Sequence, residues 1–370
     1  MTRRYKVLTI VLALVAVALL SGALVLSHDS PCGAAPAAPA NAQAMKAIVR
    51  RCYGAPEVVT LEDVAKPTLG DHSVLIKVHA ASLNPLDWHS VRGDPYIMRI
   101  SMGLGAPEDI RLGVDFAGTV EAIGKNVKRF KPGDEVFGGR DGALAEYVTV
   151  RENGALALKP ANVTFEQAAA APVAALTALQ ALRDTGRIRA GQKVLINGAS
   201  GGVGTYAVQI ARTYGAEVTG VTSTRNVDMV RSLGANHVID YTEEDFTRGS
   251  QRYDLIVDLV GNRSLSENRR VLTPKGIYLG IGGGGPSDGG FLGPLSAVLK
   301  QFAWSPFVSQ KLVFFVAQLN KADLSVVADL MQAGKVTSVI DTRYRLSETA
   351  AAVRYLERGH ARGKVVITLE

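Results

Sequence analysis

Short apolar runs separated by turn signals fill the chain from residue 45 to about 165: KAIVRR, SVLIKVHA, AGTVEAIG, DEVFG and AEYVTV. Runs of this length, bounded by clusters such as KPGDEV, predict strands, and their density predicts a compact β-rich lobe. The rhythm changes over residues 166 to about 305. Buried-strand runs (KVLIN, AEVTGVTS, YDLIVD) alternate there with helically spaced segments such as VGTYAVQIAR. That alternation predicts an α/β lobe, a doubly wound parallel sheet with crossover helices. A last block, 306–370, holds amphipathic helices such as SETAAAVRYLERG and a closing strand, GKVVITL.

Ahead of these blocks the pattern is of another kind. Arg3, Arg4 and Lys6 precede Val7 to Leu26, a stretch without a charge. As a helix it would be roughly 30 Å long, the thickness of a bilayer core. Basic flank and apolar run together predict an N-terminal apolar helix acting as signal peptide or signal anchor. The charge asymmetry keeps the N-terminus inside and the remainder outside. Arg3-Arg4 matches a twin-arginine export signal only in part, because Lys6 stands where an apolar residue is expected. Residues 27–44 are a Pro/Ala linker in which AQA, at 42–44, resembles a signal-peptidase site far beyond the apolar run. The chain is therefore expected to be membrane-anchored or exported through residues 7–26. Met45 opens MKAIVRRCYG, a natural start, and a chain begun there would be cytoplasmic.

Composition narrows the function. A formal charge of +7 is spread along the chain without a Lys/Arg block, so a nucleic-acid partner is not expected. Two cysteines, Cys32 and Cys52, cannot make a disulfide scaffold or a Cys-rich zinc site.

The chemistry starts at VLINGASGGVGTYAVQIAR. Gly198, Gly201 and Gly204 hold G-x-x-G-x-x-G spacing, with Gly202 added, between a strand and a helix. A helix N-terminus offers free N–H groups and partial positive charge, and glycines let a pyrophosphate come close. Followed by the strand AEVTGVTS, the loop reads as a dinucleotide cradle rather than a bare turn. An NAD site usually ends that second strand with an acid on the ribose hydroxyls. Here the end is Ser223-Thr224-Arg225. Arg225 would attract a 2′-phosphate, which favours NADP(H) over NAD; otherwise it opens the next helix in water.

These residues carry a resemblance. GQKVLINGASGGVGTYAVQIAR, together with LGANHVIDYTEEDF, YDLIVDLVG, GVDFAGTV and GHARGKVVI, resembles the zinc-independent quinone oxidoreductase (zeta-crystallin) branch of the medium-chain dehydrogenases/reductases. ASGGVGT, VIDY and GHARGK are similar to the mitochondrial reticulon-4-interacting oxidoreductase subgroup. The resemblance spans essentially all of 45–370. It implies a GroES-like catalytic domain (45–165), a Rossmann NADP-binding domain (166–305) and a C-terminal return to the catalytic domain (306–370). An active site in the cleft, NADPH use and a homodimer are implied too. By position, Ser200, Gly202, Val203 and Gly204 would meet the pyrophosphate, with Ser223, Arg225 and Tyr241 around the 2′-phosphate. Gly282 would lie near the nicotinamide, and His360, Ala361 and Arg362 would return to the cofactor. Tyr241 could equally be a packing aromatic, and His360 a surface cap.

Zinc members of the superfamily use Cys and His ligands, and this sequence departs from them. Asn84 and Asp87, in NPLDWHSVRG, stand where a Cys ligand would begin, and Val114 stands where a His would sit. His79, His89 and Asp115 are read as structural, so no metal is expected. Without a Lewis acid, hydride addition to an activated C=C is favoured over reduction of a simple ketone, since hydrogen-bond donors suffice for a delocalised charge. The expected function is an NADPH-dependent enone, enal or quinone reductase. A zinc-less alcohol dehydrogenase and a non-catalytic NADP-binding module are the alternatives. Asn84 is expected to donate to the substrate oxygen or position the nicotinamide, and His89 to donate or relay a proton. As alternatives, Asn84 caps a turn and His89 faces solvent. The apolar segment Phe291 to Leu319 is read as dimer interface or core, or as a substrate channel or a face near a membrane.

Overall fold

The computed structural model describes residues 21–34, 43–282, 304 and 308–369. Most of the apolar run 7–26, and most of the Phe291–Leu319 segment, lie outside the described residues. Residues 21–27 are helical. Among the described residues no helix is long and apolar enough to cross a membrane.

Two sheets organise the chain. The first lobe opens with an antiparallel pair, β1 (Ala44–Arg50) and β2 (Val59–Ala65). Its main sheet has seven strands. They are β3 (Ser73–Leu83), β4 (Asp115–Ile123), β5 (Glu135–Gly139), β6 (Tyr147–Arg151), β7 (Leu156–Leu158), β14 (Ile340–Arg345) and β15 (Lys364–Thr368). Their order is β14-β15-β3-β4-β5-β7, with β6 also on β3. Buried Ile76, Phe116, Leu156 and Ile367 fill the core beneath it.

The second lobe is a six-stranded parallel sheet. It contains β8 (Lys193–Asn197), β9 (Glu217–Thr222), β10 (His237–Asp240), β11 (Tyr253–Asp258), β12 (Leu272–Gly280) and β13 (Lys311–Phe314). The order β10-β9-β8-β11-β12-β13 places a topological switch between β8 and β11. Ligands of open α/β sheets bind outside the strand ends at such a point. β13 falls in the C-terminal block by sequence and extends this sheet. The return to the first lobe is made by β14, β15 and the helix between them (Thr349–Glu357).

The helices are set by composition. α1 (Pro85–Arg92) follows β3, α2 (Phe165–Ala169) precedes the second lobe, and α3 (Pro172–Gln180) joins the lobes. Apolar on nearly every side, α3 buries all its residues but Val173, as a helix that is hydrophobic all round must. α4 (Gly202–Thr213) follows β8 and packs on α3.

The stretch read as linker also touches the folded part. Cys32 is joined to Cys52, just after β1, in a disulfide.

Candidate cofactor cleft and active site

The lobes meet where the chain enters β15. Gly363 N donates to Ser200 O at 2.9 Å, and Gly201 and Gly363 form a parallel bridge. The glycine loop is thus held against the C-terminal return. Gly198 has φ +87°, a left-handed conformation, and a Cβ on Gly204 would lie 2.1 Å from Gly198 O. Both positions therefore need glycine.

Gly201 N-caps α4 without a side-chain cap, and the first turn has no acid. The leading N–H groups of α4 have no intrahelical acceptor, so an anion is the partner they suit. Val203, in that turn, is half-buried. Asp258 braces the floor. It is buried at the end of β11 and accepts from Asn197 Nδ2 (2.9 Å), Gly261 N (2.9 Å) and Tyr278 hydroxyl (2.8 Å). Burial beside this carboxylate pushes the Tyr278 phenol well up, keeping it a donor.

At the end of β9, Asn226 Nδ2 donates to Ser200 Oγ (3.2 Å) and Ser223 Oγ (3.1 Å), tying the glycine loop to this edge. The buried Oδ1 of Asn226 and Oγ1 of Thr222 have no partner. Arg225 is exposed, and its Nη2 donates to His360 O at 2.7 Å. Tyr241 is 46% exposed, with its ring free of the core. His360 and Arg362 are exposed and Ala361 is half-buried; Arg362 N donates to Asp341 Oδ2 at 3.0 Å. Gly282, at φ +65°, has open space where a Cβ would be. A glycine cradle, an uncapped helix start and an exposed arginine fit a dinucleotide phosphate.

A second cluster lies directly under the glycine loop. Strand register builds it. Leu83 pairs with Val365 and Ser82 with Asp115, so Asn84, Asp115 and Lys364 come together at one end of the sheet. Lys364 is 2% exposed; its Nζ donates to Asn84 Oδ1 at 2.5 Å and lies 3.3 Å from Asp115 Oδ2. A Cβ on Gly202 would sit 3.1 Å from Lys364 Cδ. Asn84 Nδ2 donates to Asp115 Oδ2 at 2.9 Å. Ser82 Oγ (3.1 Å) and Val173 N (2.9 Å) complete the bonds to Asp115.

Asn84 does cap a turn, but with its backbone. Its N–H donates to Asp87 Oδ2 at 2.7 Å and its carbonyl accepts from Asp87 N at 2.9 Å. The amide side chain is left to Asp115 and Lys364, with one Nδ2 hydrogen to spare. Burial pushes the Asp87 carboxyl up to about 7, against the Asn84 N–H that favours its charge.

His89 is half-buried and stacked on Trp88, with ring centroids 3.6 Å apart. Its Nδ1 lies 2.7 Å from Asp94 O, an acceptor, so Nδ1 carries the proton. Nε2 of the neutral ring is then an acceptor and donates only from the imidazolium, which burial disfavours.

The residues in the region where zinc members hold ligands have other surroundings. His79 Nε2 lies 2.9 Å from Thr119 Oγ1, with its ring on Phe165. Val114 is buried. Among the described residues no group of three or more His, Cys, Asp or Glu is placed to hold a metal.

Two family models match this architecture. "Alcohol dehydrogenase GroES-like domain" covers residues 70–160 and "Zinc-binding dehydrogenase" covers 233–367. The bovine (Bos taurus) mitochondrial NAD(P)H oxidoreductase RTN4IP1 is 36% identical over 355 residues, 86% of this chain and 87% of that protein. The chain belongs to the medium-chain dehydrogenase/reductase superfamily. Another member, the chloroplastic NADPH-dependent alkenal/one oxidoreductase of Arabidopsis thaliana, is 34% identical, covering 87% of this chain and 79% of its own. The quinone oxidoreductase of Coxiella burnetii superposes with a TM-score of 0.75 at 32% identity, over 89% of this chain and all of that one. The superfamily frame accounts for the nicotinamide-cofactor cradle and the GroES-like lobe. Lys364 and Asp258 escaped the sequence reading. Each has one signal: Lys364 opens the apolar run of GKVVITL, and Asp258 closes the apolar run Leu255–Val257 in YDLIVD.

Proposed function

We propose that this chain is an NADPH-dependent reductase that delivers hydride to a conjugated carbonyl or quinone without a zinc ion. The observation that carries the reading is the buried Asn84–Asp115–Lys364 cluster beneath the glycine loop, in the region where zinc relatives hold metal ligands. Bound NADPH supplies the hydride. The chain supplies the rest. α4 and the glycine loop hold the diphosphate, while Ser223, Arg225 and Tyr241 take the 2′-phosphate end. Asn84, fixed by Lys364 and Asp115, offers its remaining Nδ2 hydrogen to the oxygen on which charge develops. A pre-oriented donor in a dry site costs no reorganisation during reaction. Three named relatives support the substrate class: the alkenal/one oxidoreductase, the 2-methylene-furan-3-one reductase of Solanum lycopersicum and the trans-enoyl reductase pgmF of Aspergillus terreus.

Steady-state NADPH oxidation with a panel of enones, enals, quinones and simple ketones tests the reading, before and after prolonged chelation. Turnover is expected with the conjugated acceptors and should survive chelation. Turnover confined to simple ketones, or lost along with stoichiometric zinc, would sink it.

A further inference from the structure

Arg99 is a buried charge outside the cleft chemistry. Its side chain is 2% exposed, yet it is gripped from two sides. From the catalytic lobe, Gly93 O accepts from Nε (2.7 Å) and Arg92 O from Nη2 (3.3 Å), both at the C-terminal end of α1. From the N-terminal stretch, Leu26 O (3.0 Å) and His28 O (3.1 Å) accept from Nη1, and Asp29 Oδ1 lies 2.8 Å away. The same stretch is fixed at two further points. Ser30 N donates to Gly105 O at 2.8 Å, and Cys32 is bonded to Cys52. Next to Cys52, the Tyr53 ring lies 4.4 Å from the Arg99 guanidinium, its hydroxyl donating to Gly103 O at 2.8 Å.

We propose that residues 26–32 form a disulfide-closed strap that sets the position of α1, and that the Cys32–Cys52 pair is a redox-sensitive control on the substrate side of the cleft. A buried guanidinium is tolerable only when paired and fully hydrogen-bonded. Asp29 is its carboxylate partner, and the strap provides three of its five polar contacts. If the strap leaves, Arg99 must turn towards water and release the carbonyls of Arg92 and Gly93. Those carbonyls end the helix that begins at Asn84 and carries His89. The disulfide spans 20 residues and keeps the strap at high local concentration. Reduction by a dithiol is balanced. A thiolate attacks the disulfide at exposed Cys32, Cys52 leaves as thiolate, the reductant's second thiol closes its own disulfide, and both cysteines end as thiols. Oxidising compartments hold the strap closed, and a glutathione-rich one favours its release.

The coupling to turnover rests on the role proposed above for Asn84; the coupling to α1 does not. Hydrogen-exchange mass spectrometry therefore comes first, comparing oxidised protein, dithiothreitol-reduced protein and Cys32→Ser. Backbone amides of residues 88–105 should exchange at least about tenfold faster in the last two, with β8 and β9 unchanged. NADPH affinity should stay within about twofold, and KM for the best conjugated acceptor should rise several-fold. Unchanged exchange in 88–105 overturns the strap, whatever the turnover. Faster exchange with unchanged KM on an active enzyme overturns the control. Faster exchange in a protein that reduces none of the acceptors supports the strap, and that failure falls on the proposed function alone.

Discussion

Lys364 carries a full charge into a strand that continues Val, Val, Ile, Thr, and it is 2% exposed. Its partner Asp115 opens another buried strand and is fully buried. Removing one member of such a pair strands the other, so Lys364→Met is expected to cost about 3–5 kcal/mol in urea unfolding. Asp115→Asn added to it should recover much of that loss; additive losses in the double variant would show that the two charges do not support each other. Asn84 sits between them. Asn84→Ala should lower kcat roughly 10²-fold with NADPH affinity little changed. A folded Asn84→Ala variant with wild-type kcat would remove the donor from the mechanism. Arg225 makes a different contribution, since it is exposed and its contact to His360 O leaves further N–H groups for a phosphate. NADPH should bind at least about tenfold tighter than NADH, about 1.4 kcal/mol, and Arg225→Asp should narrow or reverse the gap. Equal affinities in the wild type, by fluorescence titration, would contradict this. Asp115 was read only as a structural residue, whereas Asn84 and Arg225 were singled out by local motifs. Lys364 was not singled out, because it lies 280 residues from Asn84 and only strand register brings them together.

α1 and α4 begin alike, after a strand, and are capped in opposite ways. α4 starts at a bare glycine and leaves its N–H groups to a ligand. α1 starts at Asn84 and closes its first turn with buried Asp87. That choice has a pH signature. The Asp87 carboxyl is raised from 3.8 to about 7 on folding, so the folded state favours the protonated form. The stabilising contribution is complete below pH about 4, declines as pH rises through about 7, and stays lost above it. Asp87→Asn has no such dependence. Relative to wild type, the variant should gain stability between about pH 5 and about pH 8, on the order of 1–3 kcal/mol in urea unfolding. A difference that does not change with pH would mean that Asp87 stays charged in its capping role. The strand–loop–helix unit around α4 was legible because glycine spacing and apolar rhythm are local. α1 was not drawn as a helix. Its eight residues end at Gly93 and hold few apolar positions, and tertiary contacts with Arg99 fix its end.

At the scale of the molecule, two lobes are joined by α3 and closed by β15, whose entry touches the glycine loop and whose first residue reaches the Asn84–Asp115 cluster. Binding of dinucleotide and positioning of Asn84 therefore share one piece of chain. Both lobes were legible from rhythm alone, since strands of period two and crossover helices are local patterns. The attachment of residues 26–32 was not, because a Pro/Ala-rich stretch has no period and its hold comes from one disulfide, one buried arginine and one backbone hydrogen bond to Gly105. Delivery of hydride to a conjugated carbon with no metal at the carbonyl is the core of the proposed function. It is tested most directly with NADPH deuterated at nicotinamide C4 and an enone acceptor, on chelated protein checked for zinc, with the product read by NMR. Deuterium at the carbon β to an intact carbonyl, with well under one zinc per chain, is the expected result. Deuterium at the carbonyl carbon of an alcohol product, or transfer only when zinc is bound, would contradict the account.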